Sequence, residues 1–300
     1  MLTTRSFIDQ TWIDLNSPTK EEVDSLVLTY QIDPIIAKDL LFPTPSQYVR
    51  DKDHIIYTVL HIPNFKHSHA ESGLQEVDFI ISRDTLITTR YDSVDALHYF
   101  AKQIEVNEIL NKGENSNVFF SMMKEIYKGM EDELAYTEDW MKQIEEKIFE
   151  GKEREMVFDI SNASRNLLNF RRIVDSHGHV FEFLRDIGTE KFGQDFGKQA
   201  KFLLNDWRRV MRVINNQIEL ATELRETNNS MLSTKQNEIM RVLTIVAFIT
   251  FPLALIAGIF GMNAIHMPIV GYANDFWIIL GIMLVTSLAM FAYFRYKKWI

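Results

Sequence analysis

Two uncharged apolar runs, residues 242–260 and 276–294, constrain this chain of 300 residues more than any other feature. Each is 19 residues long. A helix rising about 1.5 Å per residue carries such a run across about 28 Å, enough to span a hydrocarbon layer of about 30 Å. Residues 261–275 between them contain no Lys or Arg, whereas Lys235 and Arg241 precede the first run and Arg295, Lys297 and Lys298 follow the second. This asymmetry predicts a transmembrane hairpin with both chain ends cytoplasmic and the loop outside. A buried hairpin of a soluble protein is the alternative, and two charge-free stretches of this length argue against it.

The segment leading into the first run reads as one very long helix. No proline interrupts residues 193–251, and no glycine occurs between Gly197 and Gly258. Leu203, Trp207, Val210, Ile214, Gln217, Ala221, Leu224, Asn228 and Met231 recur at alternating spacings of four and three, the pattern of helices packed side by side. A stalk and pore helix is therefore predicted over 191–262, with its membrane part over about 240–262. At about 1.5 Å per residue it is roughly 100 Å long. An apolar stripe on such a rod needs neighbours, so an oligomer is expected.

A second face of the same helix has a different character. Steps of four and three from Glu219 lead through Glu223, Glu226, Ser230, Ser233, Asn237, Met240, Thr244, Ala247, Phe251, Ala254, Gly258 and Gly261. Around a symmetry axis this face makes an anionic vestibule, a polar boundary and an apolar throat that ends beside Asn263. Close helix packing is the competing reason for the small residues Ala247, Ala254 and Gly258. It does not explain the run of Ser and Asn side chains before them.

Gly261-Met262-Asn263 closes the first run, after Phe251-Pro252-Leu253-Ala254-Leu255-Ile256-Ala257-Gly258-Ile259-Phe260, and Arg295-Tyr296-Lys297-Lys298-Trp299-Ile300 follows the second. In this order the three motifs resemble the CorA family of divalent-metal transporters, including its ZntB-like branch. The resemblance implies an α+β membrane protein: a cytosolic α/β domain with an acidic helix pair over 1–190, the stalk helix, an external loop over 263–275, a second span over 276–294 and a basic cytoplasmic tail over 295–300. It also implies a homopentamer, whereas the sequence alone asks only for an oligomer. The transported ion, Mg²⁺ or in the ZntB-like case Zn²⁺, would be the only metal, with no cofactor.

Mg²⁺ releases its waters reluctantly, so a selective ring should accept hydrogen bonds from a hydrated ion. The resemblance assigns that role to Asn263 within Gly261-Met262-Asn263. It places Asn237, Met240, Leu243, Phe251 and Ala254 along the pore, with Thr244, Ala247 and Gly258 on the same stripe. It also puts Glu226 at an inter-subunit, ion-sensing carboxylate position. Phe251 and Ala254 depart from the Met and Thr often found there, and Met267-Pro268 is followed by Ile269-Val270 rather than an acidic residue. His266 is a candidate zinc ligand. Two further pairs are weaker candidates: His67 with His69 falls in a loop without a nearby Cys, and His177 with His179 is two residues apart on a helix, where side chains diverge.

The N-terminal part reads as mixed α/β. Residues 11–15, 54–62, 75–82 and 85–91 have strand character, giving at least four strands. Ser17-Pro18 and Asp33-Pro34 are the expected helix starts. Helices are expected over 93–110, over 118–149 with Glu131, Asp132, Glu133, Glu138, Asp139, Glu145 and Glu146, and over 156–186, the last two joined at Gly151. The chain carries a net charge of −9; from Gln236 onward two acidic residues face four basic ones, so −11 falls on the part before it. Such a part repels nucleic acid and attracts cations. The absence of cysteine excludes disulfides and Cys-based metal sites. Residues 1–10 lack the apolar segment of a cleavable signal peptide. No nucleotide-binding loop or hydrolase motif occurs, so a transporter is expected rather than an enzyme. A membrane-tethered acidic sensor is the alternative from a different class.

Overall fold

The computed structural model describes residues 2–7, 10–63, 74–91, 97–102, 104, 117–262, 268–271 and 274–299. They form two compact units, Met1–Arg225 and Glu226–Ile300. The expected architecture is present: an α/β part, one very long helix and a further apolar helix.

Unit one is built on a six-stranded sheet ordered β1-β2-β6-β5-β4-β3. Its strands are β1 (Leu2–Ser6), β2 (Thr11–Asn16), β3 (Tyr48–Lys52), β4 (Ile55–Pro63), β5 (Leu74–Ile81) and β6 (Thr85–Arg90). Only the β2–β6 pairing is parallel; β1–β2, β3–β4, β4–β5 and β5–β6 are antiparallel. All nine residues of β4 are buried, as expected of an inner strand covered on both faces. The edge strands β1 and β3 are polar and partly exposed, which is how sheet edges avoid pairing with other chains.

One face of the sheet packs Ile13, Leu15, Tyr57, Val59, Ile80 and Ile87 against Val23, Leu26 and Ile36 of α1 (Lys20–Tyr30) and α2 (Pro34–Asp39). Helix α1 starts two residues later than Ser17-Pro18 suggests. Thr19 accepts from the Glu22 N–H while the Glu22 carboxylate accepts from the Thr19 N–H, a reciprocal cap that the Ser17 position cannot make. Asp33 caps α2 as expected, accepting from the Ile35 N–H at 2.8 Å. On the opposite face, Trp12 meets Phe100 of a short helical stretch and Phe79 meets Phe119 of the helix that begins at Val118, ring centroids 5.6 and 5.3 Å apart.

Helix α3 (Val118–Phe149) and helix α4 (Glu153–Asp175) form the acidic hairpin. Gly151, at φ 90°, closes α3: the Lys152 N–H reaches the Lys147 carbonyl at 3.0 Å and the Gly151 N–H reaches that of Ile148 at 3.1 Å. The single helix expected over 156–186 is two helices, because the chain breaks after Asp175 and resumes as α5 (His177–Phe192). At this break Ser176 keeps helical backbone angles (φ −66°, ψ −21°), and His177 and Gly178 just after it are both buried.

Helix α6 (Gln194–Phe260) has 67 residues, and helix α7 (Asp275–Tyr296) has 22. Leu203, Val210, Ile214, Gln217, Ala221 and Leu224 are buried within this one chain, and the Gln217 amide donates to the Leu134 carbonyl of α3 at 2.8 Å. Over this stretch, therefore, the heptad stripe does not itself call for an oligomer, contrary to expectation. It is covered by the subunit's own helices.

Candidate functional site

The polar and small-residue face of α6 lies apart from the buried stripe. Glu219, Glu223, Glu226, Ser230, Ser233 and Asn237 are all exposed. Further along, Met240 is 60%, Leu243 58% and Phe251 72% exposed, and Ala254 and Gly258 are open as well. Thr244 and Ala247 differ: both are half-buried beside the buried Ile245. The single chain thus leaves most of this face without cover. At Gly258 an added Cβ would meet nothing within 4 Å, so within one subunit nothing requires glycine there.

Hydroxyls along the helix are oriented by its own backbone. Thr244 Oγ1 donates to the Met240 carbonyl at 2.7 Å, and Thr250 Oγ1 donates to that of Val246 at 2.9 Å. A threonine whose proton is committed in this way offers only lone pairs outward. That suits the waters of a hydrated cation, which are donors. Pro252 sits inside the helix and has no N–H for the Phe248 carbonyl, a local weak point in the ladder.

The helix ends by tightening. The Gly261 N–H still bonds the Ala257 carbonyl at 2.9 Å, and the Met262 N–H reaches that of Ile259 at 3.3 Å. Gly261 is not in the left-handed region, so backbone freedom is not its reason. A Cβ there would approach the Ala257 carbonyl oxygen to 2.9 Å, and that close approach favours glycine. Asn263 and His266 lie outside the described residues, as do His67 and His69. His179 is described and sits in α5, while His177 is buried in the core of unit one. Among the described residues, no three His, Asp or Glu side chains converge where a metal ion would sit.

Both apolar helices carry their side chains outward. Leu284 is 61% and Val285 67% exposed on α7, and Val242 and Val246 are more than half exposed on α6. Core helices of soluble proteins bury such residues; helices covered by lipid do not. The acidic hairpin is partly neutralised by surface pairs, with Lys142 bridging Glu138 at 3.0 Å and Arg209 of α6 reaching Glu131 at 2.6 Å.

Comparison with known proteins joins these features. A model of the family described as CorA-like Mg²⁺ transporter protein matches residues 9–298. The cobalt/magnesium transport protein CorA of Thermotoga maritima is 24% identical over 293 residues, covering 97% of this chain and 83% of that protein. The complete structure of the CorA magnesium transporter from Methanocaldococcus jannaschii superposes with a TM-score of 0.85 at 20% identity, covering 100% of this chain and 98% of that one. The ZntB cytoplasmic domain from Vibrio parahaemolyticus shares the fold at a TM-score of 0.63 and 12% identity, over 77% of this chain and 91% of that one. With a family model spanning almost all of its length, and a long exposed-faced helix leading to Gly261-Met262, this chain belongs to the CorA-like Mg²⁺ transporter family.

Proposed function

We propose that the chain is one subunit of a homopentameric channel that conducts hydrated Mg²⁺, with Co²⁺ and Ni²⁺ as further ions, across the cytoplasmic membrane. The single observation that carries this reading is the uncovered face of α6 from Asn237 through Met240, Leu243, Phe251 and Ala254 to Gly258. In a ring of subunits these residues line the axis, and the small ones let neighbouring helices approach. Residues 1–190 form the cytosolic domain, 191–262 the stalk and first span, 263–275 the external loop, 276–294 the second span and 295–300 the basic cytoplasmic tail.

Asn263, in the ring formed with Gly261 and Met262, accepts hydrogen bonds from the ion's water shell. An amide discriminates without a fixed charge that would hold the ion too long. Glu219, Glu223 and Glu226 concentrate cations at the cytoplasmic mouth. With no nucleotide-binding motif, the inward-negative membrane potential drives entry. It supplies about 2.3 kcal/mol per charge per 100 mV, and about twice that for a divalent ion.

Flux into proteoliposomes tests the reading, with Mg²⁺, Co²⁺, Ni²⁺ and Zn²⁺ compared with and without a pH gradient. Channel conduction gives Mg²⁺ flux that follows the potential and ignores the gradient. Zn²⁺ flux that requires the gradient points instead to a ZntB-like transporter. No flux above empty liposomes reduces the hairpin to a tether. Asn263→Ala should abolish selective flux while the assembled oligomer persists on light scattering.

A further inference from the structure

The end of α7 is closed by a complete Schellman motif built without glycine. Lys298 takes the left-handed conformation, φ 57°. The Trp299 N–H reaches back to the Phe294 carbonyl at 3.0 Å, and the Lys298 N–H reaches that of Arg295 at 3.1 Å. The apolar contact that accompanies this motif is present too, with the Trp299 and Phe294 rings stacked 5.8 Å apart at 29°. Phe294 in turn packs edge-on against Phe248 of α6, centroids 6.2 Å apart, and is only 5% exposed.

This geometry fixes where the basic residues sit. Arg241 lies seven residues, or about two helical turns, before Phe248, on the side away from the loop. Arg295, Lys297 and Lys298 follow directly on Phe294, at the same end of the hairpin. All four cations are exposed, with Glu238 as the nearby acidic residue in sequence. The half-exposed Trp299 and the exposed Tyr296 lie among them. The surface adjoins outward-facing apolar side chains of both helices, each long and apolar enough to cross a membrane.

We infer that Arg241, Arg295, Lys297 and Lys298, with Trp299 folded back on Phe294, form a binding surface for anionic phospholipid headgroups at the ends of the two spans. The cations meet the phosphates, and the indole occupies the boundary between headgroup and acyl chain, where aromatic side chains concentrate. The αL turn at Lys298 holds Lys297 and Lys298 beside the indole instead of leaving them on a free tail. The inference needs only that the two helices span a membrane; it is independent of which ion is carried.

The test uses full-length protein in nanodiscs of phosphatidylcholine containing a minority of phosphatidylglycerol, with retained lipids counted by native mass spectrometry. Wild type should retain phosphatidylglycerol above its supplied proportion. Lys297→Gln/Lys298→Gln should lower that preference by about fivefold or more for each charge removed. Lys198→Gln/Lys201→Gln, which removes equal charge from unit one, should leave it unchanged. Wild type gives a second reading that requires no variant: the preference should fall as salt is raised from low to high ionic strength. Equal retention by wild type and Lys297→Gln/Lys298→Gln, an equal loss in the Lys198/Lys201 control, or no salt dependence overturns the inference. Displacement of the lipid by millimolar inorganic phosphate would also overturn it, by making a free anion the ligand. Transport is not the readout, so loss of flux with lipid preference intact counts only against the proposed function.

Discussion

The Tyr127 hydroxyl lies 2.8 Å from Nδ1 of His177, and Nε2 of the same ring lies 2.8 Å from the His61 carbonyl. A carbonyl only accepts, so Nε2 carries the proton and Nδ1 accepts from the tyrosine. The ring is therefore neutral, fully buried, and satisfied at both nitrogens by α3 on one side and β4 on the other. This joint ties the junction of α4 and α5 to α3 and to the sheet.

Burial pushes His177 down to about 4, despite the opposing pull of the His61 carbonyl. Its folded value lies below the ordinary histidine value, so the unfolded chain takes up the proton first as pH falls. The stability contribution is complete above about pH 6.5 and is lost as pH falls from there toward 4, a loss of about 3 kcal/mol. Guanidinium midpoints measured between pH 7.5 and 4.5 should drop on the acid side. His177→Gln, which cannot titrate, should be less stable at pH 7 but show a shallower acid decline. An identical pH slope in both proteins would remove His177 as the cause.

Asp78 imposes the opposite limit. It is wholly buried on β5, Tyr57 donates to its Oδ2 at 3.2 Å, and its carboxyl is held well above the ordinary range, first by burial and then by the charge of Glu76. Burial beside a second carboxylate thus favours the neutral form of Asp78. A raised folded value gives stability that is present below the ordinary carboxylate range and lost as pH rises through the raised value. Asp78→Asn is uncharged and keeps an acceptor for Tyr57 at every pH. Its melting temperature relative to wild type should improve from pH 5 to pH 8.5; an unchanged difference would show that Asp78 does not titrate in this window.

Gly178 marks a close approach between α5 and α6. A Cβ there would fall 2.6 Å from the Trp207 ring, whose Nε1 donates to the Val174 carbonyl at 2.8 Å. Gly178→Ala must displace the indole and strain that bond, costing about 2 kcal/mol, or roughly 4–8 °C in melting temperature. Adding Trp207→Phe makes room for the methyl. The double variant should therefore lose less than the sum of the single losses, and strict additivity would place the strain elsewhere.

The membrane hairpin was legible because little besides a lipid environment keeps every charge out of two stretches of 19 residues. The face of α6 bearing Glu226, Asn237, Met240 and Phe251 was legible as well, since helical spacing alone groups those residues. What covers the other face was not legible. Val210, Ile214 and Gln217 advertise a partner helix, but spacing cannot tell α3 of the same chain from α6 of another. Strands β1 and β3 give little signal, because edge strands such as Leu2–Ser6 carry polar residues and show little alternation. The start of α1 is ambiguous by two residues, since Ser17-Pro18 and Thr19-x-x-Glu22 are both valid helix starts and only side-chain geometry chooses between them. His177 offers no signal: a buried neutral histidine and a surface one look alike until Tyr127 is seen beside it.

Glu226 gives the last prediction, which concerns gating. It is exposed on α6, two turns beyond the exposed Glu219, on the helix that leads toward Met240 and Phe251. In a ring of subunits the carboxylates of this part, which together with its neighbours carries a net −11 per chain, repel one another across each boundary. On the proposed reading, a divalent ion bound between subunits would cancel that repulsion and hold the stalks together, and its removal would let them splay and widen the throat. Millimolar Mg²⁺ should therefore protect residues 1–260 from limited proteolysis, and EDTA should expose them. Glu226→Ala should weaken the protection several-fold and raise flux when Mg²⁺ is high on the side of this domain. The variant keeps α6 intact, because an exposed Glu-to-Ala change favours the helix slightly. The same digestion pattern in Mg²⁺ and EDTA, together with unchanged flux, would show that the acidic domain does not sense the ion.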